Sequence, residues 1–156
     1  MRKLFLMITL VIFMGQGLLA TPFIDKGNGT VTDQKTSLVW QKCGLGRNND
    51  ASCSDDAGVA DTEIWSAALS YCNGLGLASK TWRLPNVNEL KSIVDETKSN
   101  PAIDTTYFPA TVAHFYWSAS TLVADTAYAW GVDFPDGLMY TTTKTTNLYV
   151  RCVTGP

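Results

Sequence analysis

The sequence holds one histidine, His114, in 156 residues. A multi-histidine metal centre is therefore excluded. There is no surplus of basic charge either: 12 Lys+Arg stand against 14 Asp+Glu, for a net −2. Loss of Arg2 and Lys3 with a leader would leave 10 − 14 = −4. Such a domain has little with which to displace counterions from nucleic acid or to hold anionic lipid. No nucleic-acid partner and no membrane partner after leader removal are expected. No CxxC pair occurs, and the cysteines are spaced ten, nineteen and eighty residues apart. Zinc sites use compact pairs, so no metal or cofactor is expected. Charged residues are only 17% and apolar ones 46%. That balance supports a packed core rather than disorder, and the length suits one domain.

No apolar run reaches the ~20 residues of a spanning helix. The longest, Leu4 to Met14, is interrupted by Thr9, preceded by Arg2 and Lys3, and followed by Gly15, Gly17 and Ala20. This is the order of a secretory signal. Residues 1–20 are expected to be a signal peptide. Cleavage after Gly17 places small residues at both recognition positions; cleavage after Ala20 places Leu18 at the upstream one. No cysteine follows the run to take a lipid. The remaining domain, 21–156, is expected to be exported: periplasmic, at the cell surface or extracellular.

Four cysteines lie in that domain: Cys43, Cys53, Cys72 and Cys152. An even count in an exported chain predicts two disulfides, with three pairings open. Cys43 and Cys53 flank a Gly/Asn/Asp loop that they would close. A pairing of Cys72 with Cys152 would tie the middle of the chain to its end.

The pattern reads as an α+β domain with an N-terminal hairpin, two short helices and a strand-rich end. Phe23–Asp25 and Thr30–Thr32 form a hairpin around Asn28-Gly29. An EF-hand reading of Asp25, Asn28 and Asp33 fails, since position twelve is Thr36 rather than Glu. Asp33–Ser37 is a second turn, and Leu38–Gln41 a strand. Residues 44–61 read as a surface loop. Asp61 or Thr62 is placed to cap a helix whose apolar stripe is Ile64, Ala67, Ala68, Tyr71, Cys72 and Leu75. Gly74 and Gly76 end it. Thr81–Leu84 reads as a strand stopped by Pro85. Asn86 and Glu89 form a capping box for a helix burying Leu90, Ile93 and Val94. Phe115–Thr121 is β-rich. Tyr128, Trp130, Val132 and Phe134 alternate along the next strand. With Leu138–Thr143 and Leu148–Val153 that strand predicts an antiparallel meander.

Several segments carry a resemblance: FIDKGNGTVTD at 23–33, LVWQ at 38–41, WSAALSYCNGL at 65–75, TWRLPNVNEL at 81–90, NPAID at 100–104, YWSAS at 116–120, AYAWGVDF at 127–134 and VRCV at 150–153. Their order and spacing resemble the Lcl C-terminal domain family, bacterial exported domains long catalogued as of unknown function. The resemblance covers nearly all of 22–153, and the loop 43–61 looks like an insertion. It implies a C-type-lectin-like fold, in which a helical Cys72 paired to a last-strand Cys152 matches the fold's long disulfide. TWRLPNVNEL resembles the corresponding segment of formylglycine-generating enzymes, but the copper-binding cysteines of those enzymes have no counterpart here. The calcium-lectin motifs are absent too. The resemblance implies binding of carbohydrate or another surface polymer in adhesion, and allows a trimer. This chain departs from the basic, stalked members of the family by being acidic and stalkless.

The five tryptophans invite a sugar-stacking role. Trp40, Trp65, Trp82 and Trp117 lie among apolar neighbours, and Trp130 shares a face with Val132 and Phe134, so all five are expected in the core. Arg83 and Glu89 are expected to fix the strand-to-helix turn. His114 with Ser118 or Ser120 lacks a nucleophile elbow, and Asp133 with Asp136 reads as turn chemistry rather than as a glycosidase pair. The domain is therefore expected not to be an enzyme. The candidate ligand residues are Asp136, Tyr140, Lys144, Asn147 and Tyr149, at the C-terminal strands and loops. Lys42 and Arg47 join them if recognition is charge-driven. The expected ligand is a glycan or surface polymer; a protein partner is the alternative.

Overall fold

The computed structural model describes residues 22–56 and 61–156. The expected leader and its cleavage region lie outside the described residues. Among the described residues, nine strands and two α-helices follow in chain order: β1 (Phe23–Asp25), β2 (Thr30–Asp33), β3 (Val39–Gln41), β4 (Thr62–Glu63), α1 (Trp65–Gly74), α2 (Val87–Ser92), β5 (Phe115–Thr121), β6 (Tyr128–Asp133), β7 (Leu138–Thr143), β8 (Leu148–Tyr149) and β9 (Val153–Thr154). They build two sheets, ordered β1-β2-β3-β9 and β4-β8-β5-β6-β7. The domain is α+β.

The N-terminal hairpin forms as its turn chemistry dictates. Gly27 and Gly29 take φ of 69° and 81°, a region open to glycine at little cost. Asp25 Oδ1 accepts from the Gly27 N–H at 2.9 Å, and Asn28 Oδ1 accepts from the Thr30 hydroxyl at 2.7 Å. Asp33 accepts from the Lys35 N–H and the Thr36 hydroxyl in the next turn. These oxygens serve the turns themselves.

Helix α1 departs from expectation at its start. Thr62 and Glu63 form β4, paired with Tyr149 and Leu148. The N-cap is Ile64, which is 38% exposed and offers no side-chain cap. A tertiary bond does the work of a cap: the Trp65 N–H donates to the Lys144 carbonyl at 3.1 Å, while Trp117 Nε1–H fixes the preceding residue by donating to the Glu63 carbonyl at 2.9 Å. Ala68 and Cys72 are the fully buried residues of the helix.

Helix α2 has its expected capping box. Asn86 Oδ1 accepts from the Glu89 N–H at 2.9 Å, and Glu89 Oε2 accepts from the Asn86 N–H at 2.8 Å. Leu90 and Ile93 are buried. The preceding Thr81–Leu84 is not a strand. Only Arg83 pairs, with Val153, by two N–H···O bonds of 2.9 Å. The sheet there ends because β9 is two residues long and Pro85 has no N–H to give.

The C-terminal meander also differs. The antiparallel run is β5-β6-β7, while β8 lies between β4 and β5 and runs parallel to β5 at Tyr116↔Tyr149. The segment 148–153 splits between the two sheets. Buried contacts hold the crossing. The Leu45 N–H donates to the Val150 carbonyl at 3.0 Å. The Arg151 guanidinium donates to the Gln41 and Lys42 carbonyls and to Thr111 Oγ1. Cys152 is bonded to Cys72 of α1. The second disulfide, Cys43–Cys53, closes the loop expected of it.

Two apolar clusters result. One joins the N-terminal sheet to α2, with Val31, Trp40, Leu90, Ile93, Phe108, Tyr116, Val132 and Phe134. The other joins α1 to the opposite face of β5, with Ala68, Cys72, Trp82, Leu84, Trp117, Ala129 and Leu148. Trp40, Trp82 and Trp117 are fully buried. Trp65 and Trp130 are only half-buried.

Candidate functional site

The candidate residues fall into two groups, at opposite ends of β7. Asp136 lies in the turn before the strand, and Lys144 and Asn147 in the loop after it. Six residues of strand separate the groups, about 20 Å at ~3.3 Å per residue. They do not form one patch.

At the far end, Lys144 is occupied. Its ammonium lies 3.9 Å from the centroid of the Trp65 ring and donates to Thr121 Oγ1 at 2.9 Å. With its carbonyl on the Trp65 N–H, Lys144 anchors the start of α1. Asn147 is exposed beside it. Tyr149 belongs to neither group: on β8, beside Tyr116, it is half-buried, with its ring stacked on Tyr116 at 5.3 Å and 28° and 5.6 Å from His114.

At the near end, a surface is assembled from β5, β6 and β7. Phe115, Asp133 and Leu138 are aligned across the three strands, as are Trp117, Gly131 and Tyr140 in the next row. Aligned residues share a face. Gly131 is the enabling position: a Cβ there would lie 2.2 Å from the Tyr116 carbonyl oxygen and 2.7 Å from the Phe115 ring. Without it, the Phe115 ring lies over β6 and meets the edge of Tyr140 at 6.4 Å and 81°. Phe115 also meets Trp117 at 6.4 Å. The row therefore runs from buried Trp117 through half-buried Phe115 to Tyr140, which is 46% exposed. Leu138, 50% exposed, lies alongside.

Two carboxylates border this row. Asp136 Oδ1 accepts from the Leu138 N–H at 2.9 Å, which sets the turn. The Asp133 carboxyl is pushed above its ordinary value, first by desolvation and then by the charge of Asp136. The Tyr140 hydroxyl is raised by desolvation and by the Asp136 and Asp133 charges. An apolar ring edged with acceptors can stack on a face of C–H bonds while accepting from hydroxyls around it.

Tyr140 and Asp136 were legible in the sequence, and Phe115 and Leu138 were missed. Their signal was present in LMY, three large apolar residues in a row at 138–140 that break the period of two. Trp130 was expected in the core and is half-buried instead. Between Trp117 and Thr121 the β5–β6 register shifts, so Trp130 has no single cross-strand partner on β5.

Ser118, Ser120, Arg83 and Glu89 make local hydrogen bonds. The Ser118 hydroxyl donates to the Trp130 carbonyl at 2.7 Å, and Ser120 Oγ accepts from the Val87 N–H at 3.0 Å. Glu89 receives a two-pronged bond from Arg83, both arms 2.7 Å. The basic side chains are paired as well: Lys42 with Asp25 at 2.7 Å, and Arg47 with Asp55 and Asp61. A separate depression of about 510 Å³ lies between β2 and α2, lined by Phe23, Asp33, Ile93, Asp95 and Glu96. Asp33, Asp95 and Glu96 are bound to Thr36, Thr97 and Lys91 respectively, and a fourth lining carboxylate, Asp104, to the Thr106 N–H and Lys98.

The model of the Lcl C-terminal domain matches residues 29–154. No curated protein and no solved structure matches the chain.

Proposed function

Because the chain belongs to the Lcl C-terminal domain family, we propose that it is an exported, non-catalytic binding domain whose ligand is a carbohydrate or related surface polymer. The observation that carries this reading is the exposed Tyr140 ring, set edge-on to Phe115 and bordered by Asp133 and Asp136. Rings of this kind stack on the apolar faces of sugars, and carboxylates accept from the hydroxyls at their rims. Lys42 and Arg47 are ion-paired and the Lys144 ammonium is held on Trp65 and Thr121, so we read recognition as resting on stacking and hydroxyl contacts rather than on anionic groups of the ligand. The fold reading is C-type-lectin-like, supported by the Cys72–Cys152 bond between α1 and the chain's end. Two disulfides are compatible with an oxidising, exported location.

The test is a glycan screen with the oxidised chain 21–156, run with neutral and sulfated polysaccharides, at two salt concentrations, with and without calcium. Saturable binding that survives high salt is expected. Tyr140→Ala should weaken it by about tenfold, or about 1.4 kcal/mol. Binding that collapses with salt would instead indicate charge-driven recognition. No binding to any glycan would sink the carbohydrate reading and leave a protein partner as the leading one.

A further inference from the structure

Strand β7 ends the five-stranded sheet. It pairs with β6 over Leu138–Thr143 and with no other strand among the described residues. The Lys144 N–H donates to the Ala127 carbonyl, which sets the phase of the ladder. Alternation then directs the N–H and C=O of Met139 and Thr141 away from β6. Among the described residues, nothing outside the ladder bonds to them.

Edges of this kind are normally blunted by Lys, Pro, a bulge or a covering segment. The strand LMYTTT has no charge and no proline, and its six residues pair without a register shift. Three of the six exposed large apolar side chains among the described residues are consecutive on it: Leu138, Met139 and Tyr140. Opposite charges flank it. Asp136 precedes Tyr140 by four residues and Lys144 follows it by four. Neither has an ion-pair partner among the described residues: Asp136 accepts only from neutral donors such as the Leu138 N–H, and the Lys144 ammonium rests on Trp65 and Thr121.

We propose that β7 is a self-pairing edge, on which two copies of this chain join antiparallel about a two-fold axis at Tyr140. The register follows from the phase of the ladder. Met139 bonds to the partner's Thr141 and Thr141 to the partner's Met139. Tyr140 faces the partner's Tyr140, and Leu138 faces the partner's Thr142. At each end Asp136 lies opposite the partner's Lys144, whose ammonium exchanges Trp65 and Thr121 for the carboxylate on dimerisation. A shifted register keeps some backbone bonds but loses the charge match. The contact is isologous, so it closes at two copies. It also sets two Tyr140 rings side by side on one face, which would make the surface bivalent. The dimer stands on the strand edge and its flanking charges, independently of any carbohydrate ligand.

The contact is small, so weak association is expected, with dimer populated above ~100 µM. Sedimentation of the oxidised chain 21–156 across ~1 µM to ~1 mM should show it. Thr141→Pro removes one outward donor without removing a bond to β6, and should weaken association at least tenfold. Two further variants avoid the question of whether proline is tolerated. Asp136→Lys alone and Lys144→Asp alone each put like charges at both ends of the contact, and each should stay monomeric. An equimolar mixture of the two should form mixed dimers. A wild-type chain that is monomeric throughout the range overturns the proposal. So does a dimer that ignores both charge reversals, or a mixture that stays monomeric.

Discussion

Tyr116 and Trp117 are adjacent on β5 and belong to different cores. Tyr116 packs with Val132, Phe134 and the residues of α2, and Trp117 packs with Ala129, Ala68 and the Cys72–Cys152 bond. Successive strand residues point to opposite faces, so β5 is buried on both. The Trp117 indole reaches further and donates to the Glu63 carbonyl at the start of α1. The central strand thus holds both layers of the domain, and β7, two strands away, is left to face solvent.

Gly131→Ala should be among the more damaging small changes. Its methyl group would collide with the Tyr116 carbonyl and displace the Phe115 ring. A loss of about 1–3 kcal/mol is expected, typical of overpacking, measured by urea unfolding. Tyr140 should become more mobile as its edge contact is lost.

The two disulfides should contribute unequally. The Cys72–Cys152 bond spans 80 residues and Cys43–Cys53 spans 10. Chain-entropy reasoning gives about 4.5 kcal/mol for the longer loop and about 2.7 kcal/mol for the shorter. Paired Cys→Ala variants, compared by chemical denaturation, check the order. Equal losses would mean that strain or residual unfolded structure outweighs loop length.

The turn before α2 should weaken in acid. The Arg83 guanidinium bonded to Glu89, together with the Asn86 N–H, holds the Glu89 carboxyl below its ordinary value. A group whose pKa is depressed in the folded state contributes stability above its unfolded pKa, and that contribution is lost as pH falls through the folded value. Glu89→Gln should therefore flatten the stability profile on the acid side, below about pH 4.5. Asn86→Ala removes the other half of the box and should cost about 1 kcal/mol at neutral pH.

Lys144→Met should loosen α1 rather than abolish a binding site. It removes a cation lying over Trp65 and a bond to Thr121. A loss of about 0.5–1 kcal/mol is expected, with a change in indole fluorescence. Glycan binding that disappears in this variant while stability is unchanged would return Lys144 to the ligand site.

Arg151 is buried and bonds to two carbonyls and a threonine, with its guanidinium 4.9 Å from the Phe108 ring centroid. Arg151→Met would leave those acceptors in a dry interior. Each unmet buried group costs about 1–3 kcal/mol, so the sum should exceed the loss at any surface position. Arg151→Lys should rescue little, because an ammonium cannot reproduce the planar fork. Thermal melts of the two variants check both statements.

Local chemistry was readable without coordinates. The Asn-Gly turn, the Asn86–Glu89 box and the Cys43–Cys53 loop each depend on residues within about ten positions of one another, so sequence alone determined them. So did the acidic balance and the family, which rests on an ordered set of segments. What lay beyond sequence depended on distant partners. Thr62 is strand rather than cap because Tyr149, far along the chain, takes its pairing. Residues 148–153 leave one sheet for the other because Arg151 and Cys152 are drawn to Gln41 and Cys72. Trp130 is half-buried because the register of β5 shifts opposite it. The site obeyed the same division. Tyr140 and Asp136 stood out by type and position, whereas the Phe115 ring reaches Tyr140 only because β6 places a residue without a side chain, Gly131, between their strands.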